Sequence, residues 1–324
     1  MSKSGPPKLV IASRGSRLAL RQAEIVSALI RSKHSDVVVD TRVVSTSGDK
    51  DARPFGAIGA KGLFTAEIER EVVEGRADVA VHSAKDLTAE LAEGCAVLCV
   101  PTRASVHDVV VGPSRGTGEE RIGSLPAGAT VGTSSMRRRT LVAEARPDVD
   151  IVDFRGNLDT RLDKVEAGWV DAAILAAAGI HRLMPNQPMT DGLLDPGWWV
   201  PAPGQGALAV EGLTDRAELA ELFEGLSDGP SVAEVRCERA FAITLEGGCS
   251  IPLGCWARAS GNALVVTGYL GAPDGSHAIR ETISGPIDDP EGLGRTLAEA
   301  VLASGGSDVL ADLRAATLSA PAEP

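Results

Sequence analysis

The sequence predicts an α/β protein: two similar, mainly parallel-sheet domains flank a cleft, and a smaller α+β domain follows. Three observations carry this reading. Strand-like and helix-like segments alternate through the first two thirds of the chain, which implies parallel pairing through helical crossovers. A Gly-x-x-Asp-x-Ala pattern between a helix and a strand occurs twice, at 75–80 and 168–173. Two copies mean a pair of related domains rather than a repeat array. Beyond Asp228-Gly229-Pro230 the pattern changes to short strands of period two followed by helices.

The first domain opens on the strand Leu9-Val10-Ile11-Ala12, which runs into Ser13-Arg14-Gly15-Ser16. Leu18, Ile25, Val26, Leu29 and Ile30 then recur at helical spacing, with Ser16 as the N-cap. Val37 to Val44 alternates as a second strand. The segment 46–62 has four glycines, a proline and no periodicity. A loop that long within a compact domain reads as a lid or binding loop. A helix from Leu63 to Glu74 stops at Gly75, and the strand 78–82 runs into Ser83-Ala84-Lys85-Asp86.

The second domain repeats this grammar. Strand 130–132 reaches Thr133-Ser134-Ser135 and a helix bearing Arg137, Arg138 and Arg139. Strand 150–154 leads to Arg155-Gly156-Asn157, helix 159–167 stops at Gly168, and strand 171–176 follows. The chain leaves the first domain near Pro101-Thr102-Arg103 and returns through Pro201 to Gly206, a run too rich in proline for a helix or central strand. In the third domain Ser231-Val232-Ala233-Glu234 has the pattern of a capping box and opens a helix to Leu245. Strands 263–269 and 278–283 follow, then helices from Pro290 and near Asp308. The borders are set at 8–102 with 204–226, 103–203 and 227–318.

Composition excludes several functions. The 324 residues are 44% hydrophobic and 23% charged, ordinary for a globular protein, with aromatics at only 3%. The cores must therefore be built from Ala, Val, Leu and Ile. A net charge of −12 repels nucleic acid and anionic membrane, so any anionic ligand needs a local cluster of cations. The polar start of the chain has no signal-type apolar run, and no segment is long and apolar enough to span a membrane. Five cysteines, an odd number, point to reduced thiols and a cytoplasmic protein. Cys95 and Cys99 alternate like core residues of a strand, with no histidine to complete a metal site. Neither common glycine-rich phosphate motif is present, and no Ser/His/Asp set suggests hydrolysis.

The cations gather where strands pass into helices: Arg14, then Arg137, Arg138 and Arg155, with Arg161 and Arg182 further on. Helix N-termini favour anions, and arginine adds a planar fork suited to carboxylate or phosphate. In an acidic chain the group reads as an anion pocket. If exposed in an open cleft, each arginine would be removable with little effect on folding. Lys85-Asp86 places a carboxylate beside a cation at the end of a strand, or simply closes a turn. Cys249 follows two glycines in Glu246-Gly247-Gly248-Cys249-Ser250. Such a turn suits either a reactive thiol or a small packed side chain.

These segments together resemble the hydroxymethylbilane synthase (porphobilinogen deaminase) family over nearly the whole chain. The matching stretches are Ile11-Ala12-Ser13-Arg14, Gly59-Ala60-Lys61-Gly62-Leu63-Phe64, Ala80-Val81-His82-Ser83 with Lys85-Asp86, Thr133-Ser134-Ser135 with Arg137-Arg138, Arg155-Gly156-Asn157, Pro203-Gly204-Gln205-Gly206 and Leu245 to Cys249. The resemblance implies two domains of the periplasmic-binding-protein-like type and a dipyrromethane cofactor joined to Cys249 by a thioether. Four porphobilinogen units would be added head to tail with loss of ammonia, and water would release the product. It implies Asp86 as catalytic, with Lys85, Asp86, Ser134, Arg137, Arg138, Arg155 and Gly156 around the cofactor. It further implies Arg14, Ser16, Arg161 and Arg182 at the substrate, Lys61 and Phe64 in the lid, and a monomer. The sequence departs from the common family pattern at Gly15, Ala84 and Leu87-Thr88, which bears on loop shape. The rival reading is a non-enzymatic two-domain anion-binding protein, which needs no adduct on Cys249.

Overall fold

The computed structural model of the chain describes residues 7–46, 65–186, 191–246 and 251–319. Nearly all of the expected lid, with Lys61 and Phe64, lies outside these residues, as does Cys249.

The first sheet is built from β1 (Lys8–Arg14), β2 (Val38–Val44), β3 (Val79–Ser83), β4 (Cys95–Cys99) and β9 (Leu208–Leu213), in the order β2-β1-β3-β9-β4. β1 pairs in parallel with β2 and β3, while β9 runs antiparallel between β3 and β4. Residues alternate across the sheet, as period two demands. Leu9, Ile11, Val79 and Val81 pack with Val26 and Ile30 of α1 (Arg17–Lys33). Ala12 and Ala80 pack on the other face with Ile68 and Val72 of α2 (Ala66–Val73). Ser16 caps α1, its side-chain oxygen accepting the Ala19 N–H at 3.2 Å.

The second sheet has the order β5-β8-β6-β7, from β5 (Asp108–Val111), β6 (Thr130–Gly132), β7 (Asp150–Val152) and β8 (Ala172–Ala176). β6 is parallel to β7 and β8, and β5 is antiparallel to β8. The duplicated Gly-x-x-Asp pattern has a physical counterpart. Asp78 accepts the Val10 N–H and Asp171 accepts the Thr130 N–H, each at 2.7 Å. In both domains this aspartate clamps the start of the neighbouring parallel strand. Pairings within the two sheets number four parallel and three antiparallel, so parallel pairing leads, and the antiparallel strands sit where the chain crosses between domains.

The third domain is an antiparallel meander of β10 (Leu253–Ser260), β11 (Ala263–Gly271) and β12 (Ala278–Pro286), covered by α8 (Gly229–Thr244) and α9 (Pro290–Val301). The capping box expected at Ser231 does not form. Asp228 is the N-cap of α8 and accepts the Ser231 N–H at 3.1 Å, while Glu234 turns to the Ala259 N–H at 3.0 Å. Tyr269 of β11 is buried in the second domain's core beside Leu141 and Trp199, so these two domains share packing. The crossings meet the third domain at Glu238, which is wholly buried. Glu238 accepts both tips of the Arg103 fork at 2.8 Å, the Gly204 N–H at 2.6 Å and the Ala257 N–H at 2.8 Å.

Candidate active site

The parallel strands β1, β3, β6 and β7 deliver Arg14, Lys85-Asp86, Ser134 and Arg155 at their carboxyl ends, where open α/β sheets bind ligands. Lys85 and Asp86 lie on a 3-10 turn over Ala84–Asp86. The turn is anchored by Ala84 N–H donating to the Ala207 carbonyl at 3.0 Å. Gly204 presses against it: a Cβ there would lie 2.9 Å from the Ala84 carbonyl carbon and the Lys85 nitrogen, and the φ of +74° suits glycine. Ala84 itself is buried among Val100, Ala207, Ala209 and Val235. A larger side chain has little room there, which accounts for that departure. Asp86 is exposed.

Asp108, at the start of β5, organises the arginines. Its carboxylate accepts from Arg137 Nη2 at 2.7 Å, Arg138 Nη2 at 2.7 Å, Arg138 Nε at 3.2 Å, Trp199 Nε1 at 3.0 Å and Gln205 Nε2 at 2.9 Å. Burial opposes its charge, but the two guanidiniums prevail and hold the carboxyl well below its usual range. Arg137 and Arg138 are only 4% and 7% exposed. They therefore do not stand free in an open cleft. Arg137 also donates to the Val200 carbonyl at 2.8 Å, and Arg138 to the Ile174 carbonyl at 3.0 Å. Their helix α4 (Met136–Ala145) is capped by Ser135.

The remaining cations are less well matched. Lys85 is partly buried, and desolvation with Arg138 nearby brings its ammonium down to about 8. Arg161, in α5 (Leu158–Glu166), donates to the Gly156 carbonyl at 2.8 Å. Burial and the charge of Arg138 bring it down to about 10. Lys85 and Arg161 both feel Arg138 and Asp86; Lys85 also feels Arg137 and Asp108, and Arg161 feels Arg155 and Asp153. Ser134 supports the second-domain loop, its hydroxyl accepting the Phe154 N–H at 3.1 Å. Gly156 takes φ +120° before α5, where a side chain would be strained and would touch Thr160. Arg182 is buried and donates to the Gly206 carbonyl at 2.7 Å; burial brings it down to about 10. Ser16 is engaged as the α1 cap.

The family comparison agrees with this geometry. A model described as the porphobilinogen deaminase, dipyromethane cofactor binding domain matches residues 9–221, and one described as the porphobilinogen deaminase C-terminal domain matches 232–303. The chain belongs to the porphobilinogen deaminase family. A porphobilinogen deaminase of Maridesulfovibrio salexigens is 40% identical over 304 residues, covering 94% of this chain and 97% of that one. One from Roseiflexus castenholzii is 41% identical over 304 residues, covering 94% and 98%. Among solved structures, the methionine-binding protein MetQ is similar with a TM-score of 0.42 at 12% identity, over 67% of this chain and 89% of that one. As a porphobilinogen deaminase family member the chain is a transferase of tetrapyrrole synthesis with a dipyrromethane-binding domain. Asp108, Gln205 and Trp199 are the site-supporting residues that sequence reasoning assigned no role. The sequence signals near them are the His107-Asp108 pair opening a strand, the Trp198-Trp199 pair before the crossing, and the Pro203-Gly204-Gln205-Gly206 stretch that matches the family.

Proposed function

We propose that this chain condenses four porphobilinogen molecules head to tail, with loss of ammonia at each addition, onto a dipyrromethane held by Cys249. Hydrolysis then releases hydroxymethylbilane. The observation that carries the reading is the pair of desolvated cations, Lys85 and Arg161, that share the influence of Arg138 and of an exposed Asp86. A dipyrromethane bears four carboxylates, two on each ring, and such a cluster fits them. Lys85, Arg138, Arg155 and Arg161 would hold those groups, with Ser134 and Gly156 shaping the loops around them. When bound, the dipyrromethane supplies the pyrrole carbon that is extended.

Asp86 accepts the pyrrole N–H groups of the incoming porphobilinogen and stabilises positive charge as ammonia departs. Arg14 and Arg182 lie on the substrate side, and the segment 46–62, followed by Phe64, excludes water. The domain borders 8–102 with 204–226, 103–203 and 227–318 divide the chemistry among the domains: the first carries the carboxylate, the second the cations and the third the cysteine. We place the protein in the cytoplasm as a monomer, on the family resemblance and its odd number of cysteines.

The thiols support the choice of Cys249. Burial pushes Cys95 up to about 11 and Cys237 up to about 12, and it raises Cys99 and Cys255 as well. Thiols so rarely ionised are poor nucleophiles near neutral pH. The test is intact mass. The purified protein should exceed its chain mass by two linked pyrrole units. Cys249→Ser should lose both the excess and the turnover, whereas Cys237→Ser and Cys255→Ser should keep the adduct. An active protein of bare chain mass would overturn the covalent assignment. An inactive one that still binds porphobilinogen would favour the anion-binding reading.

A further inference from the structure

The side-chain amide of Gln205 is fully buried at the crossing between the first two domains. Its orientation is fixed by its neighbours. Nε2 gives one hydrogen to the Val106 carbonyl at 2.8 Å and the other to Asp108 Oδ1 at 2.9 Å. Both acceptors lack a hydrogen to return, so the amide cannot be reversed. Oε1 is thereby left facing two cations, Lys85 Nζ at 3.3 Å and Arg138 Nη2 at 3.5 Å.

We propose that Gln205 is a positioning residue for the reaction, its amide oxygen holding the Lys85 ammonium beside Asp86 without neutralising it. A carboxylate in the same place would close an ion pair with Lys85 and cancel the charge an anionic ligand needs. An apolar side chain would leave the ammonium with one acceptor fewer. A neutral acceptor does neither. Lys85 is faced by Arg137 and Arg138 from α4, by Asp108 from β5 and by Asp86 from its own turn. Burial and the charge of Arg138 bring its ammonium down to about 8, against the opposing pull of Asp86 and Asp108. The inference rests on the proposed role of Lys85 in holding carboxylates.

The experiment reads Lys85 directly. Competitive amine acetylation of the purified holo-protein, followed by peptide mass spectrometry from pH 6 to 11, gives the midpoint of Lys85. Gln205→Met should lower that midpoint by roughly one unit, a tenfold change in ionisation, through loss of the acceptor. Gln205→Glu, which keeps an acceptor and adds charge, should raise it by a similar amount, about one unit. The basic limb of kcat/KM for porphobilinogen should move the same way in each variant. The discriminating readout is the fall in Gln205→Met, which a merely structural clamp does not predict, since an added carboxylate raises a nearby ammonium whatever Gln205 does. Midpoints that stay put, or shift in the same direction, overturn the proposal. So does a basic limb that ignores a displaced midpoint. If Gln205→Met fails to fold, judged by circular dichroism, Gln205→Asn, whose amide is too short to reach Lys85, is read in its place, and a midpoint that does not fall overturns the proposal. Opposite midpoint shifts in a protein that does not turn over porphobilinogen would leave Gln205 as the holder of Lys85 and reject the activity instead.

Discussion

Replacing Asp108 by Asn should destabilise the protein more than any change at the exposed part of the site. The wild-type carboxylate is fully buried and takes five N–H contacts, three of them from Arg137 and Arg138. Asparagine keeps the shape but leaves two buried guanidiniums without a counter-charge. Breaking a buried pair from one side costs about 3–5 kcal/mol, because the surviving charge stays desolvated. At about 2–4 °C per kcal/mol for a unit of 150–250 residues, such as the second and third domains packed together, the melting temperature should fall by about 6–20 °C. Calorimetry on the wild type and the variant measures this. The pH dependence supplies a second arm. The folded carboxyl sits below its unfolded value of about 3.9, so its contribution is complete above that pH and is lost as pH falls toward the folded value. The gap between the two melting temperatures should therefore be widest at neutral pH and shrink below about pH 4. A variant melting within about 2 °C of wild type at pH 7, less than one kcal/mol on the same scale, would refute the reasoning.

Three further outcomes are expected. Asp86→Asn should fold normally, since Asp86 is exposed, yet lose about 10²–10³ in turnover, while Asp86→Glu retains more. Turnover within a few-fold of wild type would make Asp86 a turn residue and reject it as the catalytic carboxylate. Arg161→Leu should lower affinity for the carboxylate-bearing substrate about ten- to hundred-fold at little cost in stability, a charge-assisted hydrogen bond being worth about 1.5–3 kcal/mol; an unchanged KM counts against the cation cluster. Gly206→Ala should lower the denaturation midpoint sharply, because φ is +86° and a Cβ would lie 2.6 Å from the carbonyl oxygens of Ala104 and Ser105. Gly75→Ala, at φ +68° with nothing nearby, is the control and should cost only about 1–2 kcal/mol.

Much of the fold was legible because its signals are local. Period-two strands, helical stripes and the duplicated Gly-x-x-Asp pattern are each read within a dozen residues. Lys85-Asp86 and the arginines at strand ends were visible for the same reason. Asp108 was not, since its partners lie 29, 30, 91 and 97 residues away in the chain. Only the folded sheet brings them together. The same distance effect misled the reading of Ser231 and Glu234. Their spacing matches a capping box, but the Arg103 backbone and β10 offer them better partners. The strand β10 itself escaped notice, lying next to the cysteine turn that drew the functional reading. β2 showed the alternation of a half-buried strand, yet it is an edge strand exposed along most of both faces.

The buried Glu238 joint has a mechanical consequence. Both crossings are fastened to the third domain there, and Tyr269 and the Arg280–Glu144 pair bind that domain to the second. The first domain meets the third in the same region, where Val100, Ala207 and Ala209 pack with Val235 of α8 and Arg239 donates to the Thr88 carbonyl at 3.0 Å. Across the gap, Arg17 and Asp159 form a solvent-washed contact at 3.7 Å, of a kind worth about 0–1 kcal/mol and therefore easily released. Any opening of the cleft should swing about an axis near Glu238, where displacement is least. Lys85 and Asp86 belong to the first domain, so such an opening would shift them relative to Arg138 and Arg161 in the second. A growing polymer anchored in the third domain would then meet a shifted Asp86 carboxylate, rather than having to drag its own anchor through the protein.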